Sequence, residues 1–339
     1  MTITIHDVAR EAGVSISTVS YALNGKRSVS TQTRQRVEAA VQKLNYQPNA
    51  GARMLGGTRS QIFALTAPMR KDTNRTAHMN FVLAVVDEAR KFDYDVLLMT
   101  EDEAFGGLSR AASSRLADCI ILLDVAEDDE RVELVRNLTT PSVVIGVPAN
   151  TDGLVCVDLD FRAVGEMAVR ALAEYGHRSI GLVGQGEVTY TRGANFPQRL
   201  LEGFDAAASE RGILTHFTFG DTAGGVLRTQ LDAMFASPTP PTALVLNCDE
   251  FGHKTVESYL SERRIRIPED ISLISAGASF DMHELEIPLD SIPLIPQDSC
   301  ARAVELAIES LNEPLEPRVE LMPPTYRRVG TVGPVTRVR

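Results

Sequence analysis

The hydrophobic positions of the chain change their period once. Near the N-terminus they recur every three or four residues, and from Gln61 onward short apolar runs alternate with amphipathic helical stretches. In the first region, TIHDVAREAGVSISTVSYALNG (residues 4 to 25) predicts two short helices joined by a tight turn. Thr4 is placed to cap a helix from about Ile5 to Ala12, with Asp7 near its positive end. Ile5, Val8, Ala9 and Ala12 form its apolar face, and Gly13 stands where a C-cap wants positive φ. Val14 plugs the turn. Ser15 or Ser17 caps a second helix running through Thr18 to Leu23, with Val19, Ala22 and Leu23 inward. Ile16, Ser17, Ser20 and Tyr21 are left outside, where a recognition helix meets base edges. A helical hairpin buried in a core would show the same pattern; location and basic surroundings weigh towards DNA.

Ser30 caps a third helix, TQTRQRVEAAVQKLNY, with Val37, Ala40, Val41 and Leu44 inside and Thr33, Arg34 and Arg36 within reach of phosphates. After Tyr46-Gln47-Pro48, Asn49 caps a short helix, residues 50 to 55. A helix this short with Gly51 in it does not persist alone in water. Paired with a twin in the minor groove, it would let Leu55 wedge between base steps; the alternative is a flexible linker.

The remainder reads as strand and helix in alternation: IFALTAP, DVLLMT, CIILLDV and PSVVIGV, then a crossing near VCVDLD, then SIGLVG, HFTFG, ALVLN, ISLISAG and a return at SIPLI, with helices between them. Such runs joined by crossover helices predict parallel sheets covered on both faces, in two tandem lobes.

Charge sharpens this division. The chain carries a net −11, yet its first 60 residues hold eight Lys and Arg against three Asp and Glu. A basic head on an acidic body suits phosphate contact by the head alone. No apolar run reaches 18 residues and no secretory signal pattern opens the chain, so a cytoplasmic protein with no membrane partner is expected. Cys119, Cys156, Cys248 and Cys300 are scattered and read as buried thiols. The six histidines lack metal-ligand spacing, and P-loop, GxSxG and GxGxxG patterns are absent. No catalytic residue, metal or cofactor is expected, and the protein is not read as an enzyme.

IHDVAREAGVSISTVSYALNG, VSTQTRQRVEAAVQKLNYQPN and ARMLGG, in that order and spacing, resemble the head of the LacI/GalR family of bacterial transcriptional regulators. GHRSIGLVG and PPTYRRVGTVG extend the resemblance over nearly the whole chain. It implies an all-α helix-turn-helix head over 1–47, a hinge helix and linker over 48–60, and a two-lobed body over 61–339 resembling the periplasmic-binding-protein type I fold. The first lobe would take about 61–160 and 291–322, the second about 161–290 and 323–339. The resemblance further implies a repressor that binds a palindromic operator in double-stranded DNA as a homodimer, under control of a small-molecule effector. Carried over position by position, DNA contact falls to Thr4, Ile5, His6, Ser15, Ile16, Ser17, Thr18, Ser20, Tyr21, Asn24, Thr33, Arg34, Asn49, Ala52, Arg53 and Leu55. Effector contact falls to Met69, Arg70, Asn195, Gln198, Arg199, Asp249 and Gln297.

The pocket departs from the family pattern. Gly146 stands where an Asp is common, Gln198 where an Arg is usual, Cys248-Asp249 replaces Asn-Asp, and Ala276-Gly277-Ala278 replaces a stretch bearing a second Asp. These losses weaken the case for a small free sugar. A less hydroxylated or anionic effector, a degenerate pocket answering to a protein partner, and a small error in register stay open. A cytoplasmic solute-binding protein is the remaining alternative.

Overall fold

A computed structural model describes residues 3–24, 29–46, 59–70, 73–100, 104–114, 116–280, 282 and 285–335. Asn49, Ala52, Arg53 and Leu55, the expected hinge residues, lie outside them. In the head, α1 (Ile5–Ala12), α2 (Ile16–Asn24) and α3 (Thr31–Leu44) enclose a small core of Val8, Ala9, Ala12, Val19, Val37, Ala40 and Tyr46. The caps are local chemistry. Asp7 accepts the Thr4 backbone amide at 2.9 Å and its hydroxyl at 2.8 Å, and Gly13 ends α1 at φ 63°. The Ser15 hydroxyl accepts the Thr18 amide at 3.1 Å, so Ser15 is the cap and α2 starts earlier than the apolar pattern suggests. Arg36 does not stand ready for phosphate. Its guanidinium donates to the Ala12 carbonyl (3.1 Å from Nε) and to the Gly13 carbonyl (3.0 Å), tying α3 to the end of α1.

The body has two parallel sheets whose strands follow the same order, the first with one further strand at its edge. In the first, β1 (Ile62–Thr66), β2 (Asp95–Met99), β3 (Cys119–Leu122), β4 (Ser142–Ile145), β5 (Val155–Leu159) and β11 (Arg318–Met322) run in the order 11-5-4-3-1-2. In the second, β6 (Ser179–Val183), β7 (Leu214–Thr218), β8 (Ala243–Leu246), β9 (Ser272–Ala276) and β10 (Asp290–Ile292) run 10-9-8-6-7. Around the first sheet lie α4 (Arg75–Arg90), α5 (Ala104–Ser113) and α6 (Glu130–Arg136). The second lobe carries α7 (Phe161–Glu174), α8 (Glu187–Thr191), α9 (Asn195–Glu210), α10 (Val226–Phe235) and α11 (Glu250–Glu262). Helix α12 (Pro296–Ser310) returns to pack on the first-lobe core through Cys300, Ala303, Val304 and Ala307. The stretch VCVDL is a strand buried along its length, and the crossing begins only at Asp160. Among the described residues, no helix is long and apolar enough to cross a membrane, and the four cysteines are free and buried.

The chain passes between the lobes three times, and the passes bond to one another. The Asp160 amide donates to the Met322 carbonyl at 2.9 Å, and Ser291 and Arg327 exchange backbone bonds of 2.9 and 2.7 Å. The buried Asp290 carboxylate takes the amides of Val329, Gly330 and Thr331 at 2.8, 2.6 and 3.0 Å on one oxygen, and the Tyr326 hydroxyl at 2.7 Å on the other. This pins the last segment to the second lobe. His177 serves the same purpose, its ring held between the Thr242 and Ser272 hydroxyls at 2.8 and 2.9 Å with Nε2 also 3.2 Å from the Gly333 carbonyl of the last segment. Also at the first crossing, Arg199 donates to the Asp158 carboxylate at 2.9 Å and to the Leu159 carbonyl. Burial pushes the Asp158 carboxyl up to about 6, against the pull of Arg199.

Helices α7 and α9 cross closely because each offers a glycine. A Cβ on Gly165 would stand 2.6 Å from the Phe204 amide nitrogen, and one on Gly203 would overlap the Arg162 carbonyl. Backbone cannot swing aside as a side chain can, so Gly203→Ala is expected to destabilise the body by about 3 kcal/mol, on the scale of overpacked cores, read as a lower urea midpoint. Arg199→Leu leaves a buried carboxylate unpaired and is expected to cost about 3 kcal/mol at pH 8. Because the folded Asp158 pKa is raised, its protonated form is the one the fold favours. The deficit should therefore shrink as pH falls through that range; a deficit that does not change with pH would assign the cost to packing.

Candidate functional site: an interlobe cleft and an exposed head helix

A cavity of about 590 Å³ lies between the lobes, walled by the carboxyl ends of strands from both sheets. Each lobe contributes its topological switch point, where strand order reverses between β1 and β3 and between β6 and β8. From the first lobe come Leu123 and Asp124 after β3, Gly146 after β4, and His78 and Phe81 on α4. From the second come Gln185 after β6, Arg192 after α8, Asn195 and Phe196 on α9, and Asp249 after β8. Gly146 has no room for the carboxylate its position would suggest: it sits at φ 127°, and a Cβ there would meet the Val125 side chain at 2.5 Å.

The first-lobe wall is built on Arg131, which is 3% exposed. Its guanidinium grips Asp129 (2.9 and 2.6 Å), the Leu123 and Asp124 carbonyls (3.0 and 2.8 Å) and the Thr66 hydroxyl (3.1 Å). Asp124 is thereby held in a left-handed turn at φ 55°. Its carboxylate takes Arg70 at 2.5 Å from its own lobe and Arg192 at 3.0 Å from the other. Nearby, the Glu127 amide donates to the Gly193 carbonyl at 2.8 Å, Ala126 and Ala194 form an antiparallel bridge, and the Asn195 amide donates to the Val147 carbonyl. The lobes thus touch through these loops as well as through the crossings.

In the second lobe, Asp249 caps α11, accepting the Gly252 amide at 2.8 Å, and Asp221 accepts the Glu187 amide at 2.8 Å. Burial raises the Asp249 pKa, and the charges of Glu250 and Asp221 add to it. His78 is 8% exposed, its Nε2 has no hydrogen-bond partner, and burial lowers its pKa.

Of the effector positions read from sequence, Asn195 and Asp249 stand in the cavity wall. The other five do not. Arg70 sits behind the wall on Asp124, Arg199 is turned under the crossing onto Asp158, and Met69 and Gln198 are half-buried outside the cavity. Gln297 is exposed in a separate surface hollow beside Ala84 and Lys91. His78, Asp124, Asp158, Arg192 and Asp221 are wall residues that pattern reading missed. Asp124 had a signal, standing directly after the apolar run CIILL; His78 had none. Among the described residues no group of three His, Cys, Asp or Glu could hold a metal ion.

In the head, Thr4, His6, Ser15, Ile16, Ser17 and Arg34 are exposed, with Ile16 at 41%. Thr18, Ser20, Tyr21 and Thr33 are half-buried, and Asn24 is the last residue of α2. Ile5 packs against the head core. The Ser15 hydroxyl contacts those of Ser17 and Thr18, both at 2.8 Å.

Residues 4–49 match the model of bacterial regulatory proteins of the lacI family, and residues 169–331 match the periplasmic binding protein-like domain. The catabolite control protein A of Staphylococcus epidermidis is 29% identical over 326 residues, 92% of this chain and 94% of the relative. That of Staphylococcus xylosus is 32% identical over 191 residues, 54% of this chain and 56% of the relative. Among solved structures, the lac repressor dimer bound to operator aligns with a TM-score of 0.79 at 20% identity, covering 98% of this chain and all of that one. A complex of the transcriptional regulator CelR with cellobiose aligns at 0.63 with 22% identity, covering 97% and 99%. The chain thus joins a helix-turn-helix head of the lacI family type to a two-sheet periplasmic-binding-protein-like body, the plan of a lacI-type transcriptional regulator.

Proposed function

We propose that the protein is a repressor that binds a near-palindromic operator as a homodimer and changes its grip when a small molecule enters the interlobe cleft. The observation that carries this reading is the division of the cavity wall between two lobes joined by three bonded crossings. A ligand touching both walls has a different affinity for the open and closed cleft, which is what coupling to DNA requires; couplings of this kind are about 1–3 kcal/mol. The operator-bound lac repressor is a dimer, and the lacI-type head here is a single helix-turn-helix, which reads one half-site.

In this reading the N-terminal part of α2 enters the major groove. Ile16, Ser17 and Tyr21 face the bases, Ile16 and Tyr21 making apolar contact with thymine methyls and Tyr21 and Ser17 single hydrogen bonds. Thr4, His6, Ser15, Thr18, Ser20, Asn24, Thr33 and Arg34 position the head on the backbone. Asn49, Ala52, Arg53 and Leu55 act at the operator centre. In the cleft, Asn195 and Asp249 contact the ligand, joined by His78, Asp221 and the aromatic wall, while Met69, Arg70, Gln198, Arg199 and Gln297 are not proposed to touch it.

Gel-shift titration on a promoter-proximal palindrome, with and without residues 1–57, tests the assignment directly. Equal binding by the truncated protein would refute it. Tyr21→Ala is expected to alter base preference by about 1–3 kcal/mol at one position while leaving the salt slope nearly unchanged. A loss equal on all sequences would assign Tyr21 to the backbone instead. Leu55→Gly is expected to weaken operator binding with dimerisation intact, checked by analytical ultracentrifugation beside the titration; a change in oligomeric state counts against the hinge assignment.

A further inference from the structure

We propose that the ligand of the interlobe cleft is an organic cation, a protonated amine carried on a flat apolar body. The inference rests on the cleft being the effector site and concerns what fills it.

The charges of the wall lead there. Four aspartates line the cavity: Asp124, Asp158, Asp221 and Asp249. Two of them already hold arginines, Asp124 with Arg70 and Arg192 and Asp158 with Arg199. Among the described residues, Asp221 and Asp249 form no salt bridge, and the bonds each accepts come from backbone amides. They are close enough for the charge of Asp221 to act on Asp249. Two carboxylates facing one cavity without a counter-charge are an electrostatic cost that a bound cation removes. An anion meets the opposite situation: the arginine of the wall, Arg192, already holds Asp124, so an anion drawn to it would compete with the contact between the lobes.

The second observation comes from the other lobe. His78 is more than nine-tenths buried, lines the same cavity, and its Nε2 has no hydrogen-bond partner. A ligand spanning the cleft would supply one. The third is the rest of the wall. Phe81, Phe161, Phe196 and Phe280 line the cavity, and aromatic faces attract cations as well as flat apolar rings. A free sugar presents hydroxyls around its whole edge. Polar side chains such as Asn74, Gln185 and Asn195 would meet part of that edge, but Leu123, Val125 and Ile145 would meet another part, and Gly146 and Ala278 bring no side-chain polar atom.

The test uses the full chain and three molecules of one shape: tryptamine, its neutral isostere tryptophol and the anion indole-3-acetate, with cellobiose as a polyol. Binding is read by calorimetry and thermal shift. Tryptamine is expected to bind at least about tenfold more tightly than either isostere, with affinity falling as pH drops and Asp249, whose pKa burial raises, takes up a proton. Asp249→Asn keeps the helix cap, and together with Asp221→Asn should bring tryptamine to the affinity of tryptophol; circular dichroism checks the fold, and Asp221→Asn alone should give part of the effect. Equal or stronger binding of the alcohol or the acid, or no binding of tryptamine at millimolar concentration, overturns the proposal. Cellobiose binding that is lost in Ala278→Phe would sink the cation while keeping the cleft as the effector site. Tryptamine binding that survives Ala278→Phe would overturn both.

Discussion

The buried guanidinium of Arg131 is the interaction on which the cleft depends. It lies beneath the first-lobe switch point and gathers two strand-end carbonyls, a threonine hydroxyl and the Asp129 carboxylate. A cation so deep is tolerable only because these groups replace the water it lost. Its consequence is geometric: the chain after β3 is forced into a left-handed turn that aims the Asp124 carboxylate across the cleft at Arg192. Lobe contact, wall charge and cavity shape follow from that turn. Among the described residues, the second lobe has no such guanidinium at its own switch point. There the buried Asn247 amide reaches the Ala276 carbonyl, and the loops that follow present carboxylates with no cation bound to them among the described residues. The cleft is therefore asymmetric, closed by charge on one wall and open to charge on the other.

The scaffold was legible where one local rule sufficed. Capping groups and helical spacing marked the three head helices, and apolar runs bounded by polar loops marked the central strands. Legibility failed where neighbours decide. The run VCVDL reads as a crossing because Asp158 interrupts it, yet the carboxyl is accommodated by Arg199, forty-one positions later in the chain. Strand β11 alternates half-buried and exposed residues at a sheet edge, so its apolar signal is faint. Glu320, on the half-buried face of that strand, carries Arg302 and Arg318, so that face is held by ion pairs more than by apolar contact.

The effector side chains were harder for the same reason. Gln198 and Arg199 follow Asn195 on one helix, and only the rotation of that helix decides which of the three meets the cleft. Asn195 does. Arg70 and Arg199 look from sequence like cations offered to a ligand, whereas each is committed to a carboxylate of the protein itself. Arg36 in the head is the same lesson, an arginine in a DNA-binding domain that holds one helix to another. Charge type is written in the sequence; whether the charge is available depends on partners far along the chain.

The interleaved lobes also order the making of the protein. The core of the first lobe lacks α12 until residue 310 has been synthesised, its sheet lacks the edge strand until residue 322, and the Asp290 clamp closes only with residues 326–331. The head, by contrast, has every residue of its small core by Tyr46. Domains fold as they emerge, at about 5–20 residues per second. A finished reading head thus leaves the ribosome well before the body that governs it, and for that interval the nascent chain carries an address without its control.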